Sequence, residues 1–183
     1  MAIDWDFITT LEGRSLTGDV PNAAGSASGV TVAAGVDLGQ LSAAAIDAMA
    51  IPGALKATLK PYAGLQRQAA VDFLVAHPLA ITADDADALE PAVRAAIVQT
   101  LAAHYDAASA VTFAVLLDAA QTVIASVAFQ YGPDLAHRAP KFWGRATLQD
   151  WPGVIAELRN FGDAYPTRRK KEAQHLEDAL LVA

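Results

Sequence analysis

Ile3, Phe7, Ile8 and Leu11 recur at helical spacing, which predicts a short helix over residues 4–12, stopped at once by Gly13. The pattern then changes. Thr17-Gly18-Asp19-Val20-Pro21-Asn22 and Gly25-Ser26-Ala27-Ser28-Gly29 carry turn chemistry, and Val30-Thr31-Val32-Ala33-Ala34-Gly35-Val36-Asp37 is β-branched with partial alternation. A small hairpin or three-stranded sheet is therefore expected over residues 17–39. Beyond residue 40 the apolar positions follow helical periods. Ser42 is placed to cap a helix running to about residue 49, and a second runs over 65–76, ending before Pro78. Thr82 with Asp84, Asp85 and Asp87 makes an acidic start for a longer helix that continues past a bend at Pro91 to about residue 105. Further helices are expected over 108–117, 119–130, 147–160 and 167–181. A loop holding Gly132-Pro133 and Ala139-Pro140 is expected between the second and third of these. The fold class is α+β and predominantly helical, with two lobes and a cleft where the β element meets the helices.

Composition narrows this picture. The 183 residues are 54% hydrophobic and 18% charged, enough apolar material for one domain of one or two lobes and against global disorder. No cysteine is present, which excludes a disulfide scaffold and a thiolate metal site. The net charge of -7 weighs against a nucleic-acid partner. No apolar stretch reaches the roughly 18 residues of a membrane helix, so no membrane span is expected. Residues 107–129 come closest, but Asp118 and Gln121 interrupt them, and a buried core helix is the better reading.

Candidate chemistry begins at Glu12. At a helix C-terminus the negative end of the helix dipole opposes ionisation, and apolar neighbours such as Leu11 and Leu16 add desolvation. Both push a carboxyl toward staying protonated, as a general acid requires. Read locally, a solvated surface glutamate is the simpler account. Thr31 and Asp37 are the next candidates. On an unbroken strand Thr31, Ala33, Gly35 and Asp37 share one face at period two. A hydroxyl and a carboxylate so placed can hold and deprotonate a water opposite the acid. The local alternative is a turn aspartate closing the strand before Leu38-Gly39. Asp84, Asp85, Asp87 and Glu90 read as a solvated helix start rather than a cation site, and His77, His104, His137 and His175 show no metal-ligand spacing. Arg168-Arg169-Lys170-Lys171 reads as a solvated helix face, or as a contact for acidic groups or for the acid glutamate.

Leu11-Glu12-Gly13, Gly18-Asp19-Val20-Pro21 and the stretch from Gly25 to Gln40 together resemble the active-site segment of pesticin-like, phage-lysozyme-type muramidases. Gln121 to Gly132 is similar to the long core helix of lysozyme-like proteins, and Tyr165 to Ala173 to their closing Arg-rich helix. The resemblance implies a single lysozyme-like catalytic domain over residues 1–183. Its small β-containing lobe would lie at about 13–40. Its helical lobe would span about 41–183 and include the N-terminal helix. It implies Glu12 as the catalytic acid, with Thr31 and, six residues later, Asp37 completing the site. Two positions depart from the pattern. Asp19 stands where an aromatic residue is expected and competes with Asp37 as the second carboxylate, and Ala33 replaces a glycine beside the threonine.

The implied reaction is acid-base hydrolysis of the β-1,4 bond between N-acetylmuramic acid and N-acetylglucosamine, needing no cofactor and no metal. The implied partner is the glycan strand of bacterial peptidoglycan. The acidic net charge offers no long-range attraction to an anionic wall, so the basic run at 168–171 is the local exception. The first residues lack the basic and apolar runs of a signal peptide. The expected setting is synthesis in the cytoplasm. Action on the wall would follow release through a holin, as a phage endolysin. The other route is an antibacterial effector, with delivery machinery and an immunity protein as partners. A non-catalytic glycan-binding or structural module on the same fold is the alternative.

Overall fold

The computed structural model describes residues 2–182 other than Asn22 and Ser26, so those two members of the expected turns lie outside the described residues. Helix α1 (Trp5–Glu12) begins where the Asp4 carboxylate accepts the Phe7 amide, and ends at Gly13, whose φ of +71° no β-carbon favours. Three antiparallel strands follow in the order β1 (Ser15–Asp19), β2 (Thr31–Ala33) and β3 (Val36–Asp37). The outer edge of β1 is covered, since Gly18 donates to the Leu79 carbonyl and Ile81 to that of Leu16.

The helices are α2 (Ala43–Ala48), α3 (Gly53–Leu59), α4 (Arg67–Ala76), α5 (Ala83–Ala108), α6 (Asp118–Tyr131), α7 (Leu135–Arg138), α8 (Pro140–Thr147), α9 (Trp151–Arg159) and α10 (Pro166–Leu181). Ser42 caps α2 as expected, its hydroxyl accepting the Ala45 amide. Thr82 and Asp85 cap α5 reciprocally, each side chain accepting the other's amide. That helix runs on through Pro91.

Three expectations are corrected. Residues 109–117 form no α-helix beyond a single 3-10 turn at Phe113–Val115, because the Asp106 carboxylate captures the Phe113 amide and the Ser109 hydroxyl that of Val111. The expected loop around Ala139-Pro140 instead holds α7 and α8. Pro140 sits in the first turn of α8, where its missing N–H costs nothing, and Phe142, Trp143 and Ala146 bury one face. The helix expected from 147 starts at Trp151, where the Asp150 carboxylate accepts the Gly153 amide. Helix α3 was not anticipated, although Leu55 and Leu59, four apart, are both buried.

Contacts divide the chain into two compact units, Glu12–Ala95 and Met1–Leu11 with Ala96–Ala183. The first buries Val30, Val32, Val36, Leu38, Ile46, Leu55, Leu59, Leu79 and Leu89. The second is centred on α6, in which every residue from Ala119 to Ala128 is buried. Burial all round marks a helix as central, so the core-helix reading of 107–129 holds for the part from Asp118 on, and its polar members Gln121, Thr122 and Ser126 lie inside. Among the described residues no helix is long and apolar enough to cross a membrane.

Candidate active site

Glu12 is the last residue of α1 and is half-buried. Two residues, Gly13 and Arg14, join it to β1. Arg14 is pinned to α5 by ion pairs with Asp87 and Glu90, Nε lying 2.9 Å from Glu90 Oε1. Those pairs and the Thr82–Asp85 cap account for three of the four acidic residues at the start of α5.

Thr31 opens β2 and Asp37 closes β3, directly opposite one another in the antiparallel register. Opposed residues project on the same face, so hydroxyl and carboxylate are neighbours. The expected route to this pairing was different. No single strand carries both residues, because the chain reverses at Ala34-Gly35. Thr31 and Asp37 meet across a hairpin. Asp19, the last residue of β1, pairs with Thr31 from the other side, so Asp19, Thr31 and Asp37 form one row across the sheet.

The two carboxylates of that row differ in setting. Asp19 is exposed. Asp37 is half-buried, and its Oδ1 accepts the amides of Gly29 at 3.0 Å and Gly39 at 2.9 Å. Burial pushes the Asp37 carboxyl above its ordinary value, outweighing the hydrogen bonds from Gly29, Gly39 and Gln40 that favour the ion. The Gly39 bond also caps the short 3-10 turn Leu38–Gln40, as expected of an aspartate that closes the strand before Leu38-Gly39.

The glycines are needed for this anchor. A β-carbon on Gly29 would lie 2.4 Å from the Gly39 Cα and from the Leu65 carbonyl, and one on Gly39 would meet the same backbone. The Arg67 amide donates to the Ser28 carbonyl, the Gln66 side chain to that of Gly39 and the Gln40 side chain to that of Ala27, fastening the loop on both sides. These anchors were missed in the sequence. The signal available was a glycine two residues after Asp37 and another just before the strand.

Ala33, where the resemblance calls for glycine, has φ +55°. The left-handed conformation explains why glycine suits the position, and the turn forms with alanine there nonetheless.

The basic run is not a solvated face. Arg168 and Arg169 are buried, at 8% and 1% exposure, while Lys170 and Lys171 are exposed. Arg168 donates to Glu172 and to the Ser126 carbonyl and hydroxyl. Arg169 donates to Asp163, Glu172 and Gln130 and lies over the Phe161 ring.

Residues 2–152 match the family described as "Pesticin: Bacterial toxin homologue of phage lysozyme, C-term". The chain belongs to the pesticin family. Its predominantly helical α+β architecture with a small three-stranded sheet is the lysozyme-like fold expected from the sequence, and membership puts this pesticin-family chain with the lysozyme-type muramidases at the level of family. Glu12, Asp19, Thr31 and Asp37 all fall inside the matched segment. No curated protein matches the chain.

Proposed function

We propose that the chain hydrolyses the β-1,4 bond between N-acetylmuramic acid and N-acetylglucosamine in peptidoglycan. Glu12 protonates the leaving glycosidic oxygen. Asp37, with the Thr31 hydroxyl beside it, holds the attacking water and takes its proton. The observation that carries this reading is the cross-strand pairing of Thr31 with an Asp37 carboxylate fixed by two glycine amides. A carboxylate held by amides keeps its charge uncancelled by any cation at that anchor, and burial makes it a stronger base. Glu12 supplies the second carboxyl that two-carboxylate glycosidic hydrolysis requires. Asp37 is preferred to Asp19 as the base because it is anchored and half-buried, whereas Asp19 is exposed.

The setting proposed is the bacterial cell wall, reached after holin release as an endolysin. An immunity gene beside this one would mark a delivered effector instead. The test is digestion of purified peptidoglycan by the wild type and Glu12→Gln, with mass spectrometry of the fragments. Reducing muramic-acid ends are expected from the wild type, with turnover at least about 100-fold lower in Glu12→Gln. No new sugar ends from the wild type would overturn the muramidase reading and leave a glycan-binding module. Undiminished turnover in Glu12→Gln would remove Glu12 as the acid.

A further inference from the structure

The unit Met1–Leu11 with Ala96–Ala183 has a cavity of about 300 Å³ at the start of α10, lined by Thr10, Leu11, Tyr165, Thr167, Arg168 and Lys171 among others. Its lining contains two cations and no carboxylate, in a chain of net charge -7. The sign is specific to this place. A larger cavity of the same unit, about 550 Å³, is lined by Asp4, Asp118 and His175. The two cations have different jobs. Arg168 is buried and tied to Glu172 and Ser126, so it forms a fixed wall, whereas Lys171 is exposed. Tyr165 is 53% exposed, with its backbone held by Asp163 and Arg169. An exposed aromatic ring, two threonines and a cation in one concavity suit a ligand with an apolar face, hydroxyls and a negative charge. Thr10 and Leu11 of α1 complete the lining.

We propose that this cavity is a subsite for an acidic sugar. It takes a muramyl residue of peptidoglycan, with the C–H face of the ring against Tyr165 and a stem-peptide carboxylate against Lys171. The identity of the ligand rests on the muramidase reading; the charge and shape of the cavity do not.

The test uses Glu12→Gln protein, so that binding is measured without turnover. Disaccharide-tetrapeptide with free stem carboxylates, and the same compound with those carboxylates amidated, are titrated calorimetrically. The titrations are repeated after adding Lys171→Glu or Tyr165→Ala. Both side chains are exposed, and unchanged melting checks that each variant folds. Lys171→Glu is expected to weaken the free-carboxylate ligand about tenfold and to leave the amidated ligand unchanged. Tyr165→Ala is expected to weaken both alike. Equal affinity for the free-carboxylate ligand in Lys171→Glu, an equal loss for both ligands, or no binding to the parent protein would each overturn the subsite. Sugar-end release by the wild type is scored separately. Release with binding indifferent to Lys171 removes the subsite alone, and Lys171-dependent binding without release removes the muramidase reading alone.

Discussion

In the unit Glu12–Ala95 the carboxylate of interest is held by backbone, whereas in the helical unit the buried carboxylate is held by side chains. Asp37 takes its hydrogen bonds from two glycine amides. Glu172, fully buried, takes its own from Arg168, Arg169 and Ser126. The consequence is chemical. Two guanidinium groups pair with Glu172, so that carboxylate welds α10 to α6. Amide dipoles orient Asp37 without cancelling it, and burial then raises its proton affinity. A reactive carboxylate is better served by the first arrangement and a structural one by the second.

The largest effect is expected at Glu172→Ala. It leaves two buried arginines without their shared partner, and a stability loss of about 3–5 kcal/mol is expected in chemical denaturation. A loss under about 1 kcal/mol would mean that the cluster is not structural.

Asp37→Asn should do the reverse. Turnover is expected to fall at least about 100-fold while the fold persists, because an amide oxygen still accepts from Gly29 and Gly39. Stability should also depend on pH through Asp37. Asp37 binds its proton more tightly folded than unfolded, so stability falls as pH rises from its ordinary value of 3.8 through the raised folded value. The asparagine variant lacks this slope. Its melting temperature should equal or exceed the wild type's at neutral pH, with any advantage gone below that ordinary value. Asp19→Asn, at the exposed end of the row, serves as the control; a larger loss of turnover there would reverse the assignment of the base.

The smallest effect is expected at Ala33→Gly. Glycine relieves a left-handed alanine, worth roughly 1–2 kcal/mol. It also gives up a buried methyl group, about 0.8 kcal/mol, and frees the unfolded chain by about 0.4–1 kcal/mol. These nearly cancel, so a change below about 1 kcal/mol is expected by thermal melting. A larger gain would mean that the turn at Ala34-Gly35 is more strained than its backbone indicates.

Long periodic segments were legible without coordinates. Helix α5 follows from apolar spacing and its Thr82–Asp85 start, and α6 and α10 from the spacing of their apolar residues alone, because a period of 3.6 is met only by a helix. The small sheet was legible as an element but not in its geometry. Thr31 and Asp37 were expected on one strand and meet across two, since the reversal at Ala34-Gly35 depends on pairing partners rather than on alternation. Helices α7 and α8 were hidden by proline and glycine, which punctuate helix starts as well as loops.

By itself, the sequence determined the fold class, the order of the main elements and the residue types able to carry acid-base chemistry, because these depend on local periodicity, capping and composition. Only the tertiary structure decided that Asp37 is pinned by Gly29 and Gly39, that Arg168 and Arg169 are buried while Lys171 is exposed, and that Asp19, Thr31 and Asp37 stand in one row. Those facts depend on which distant backbone and side chains come into contact, and so on packing, which no local pattern specifies.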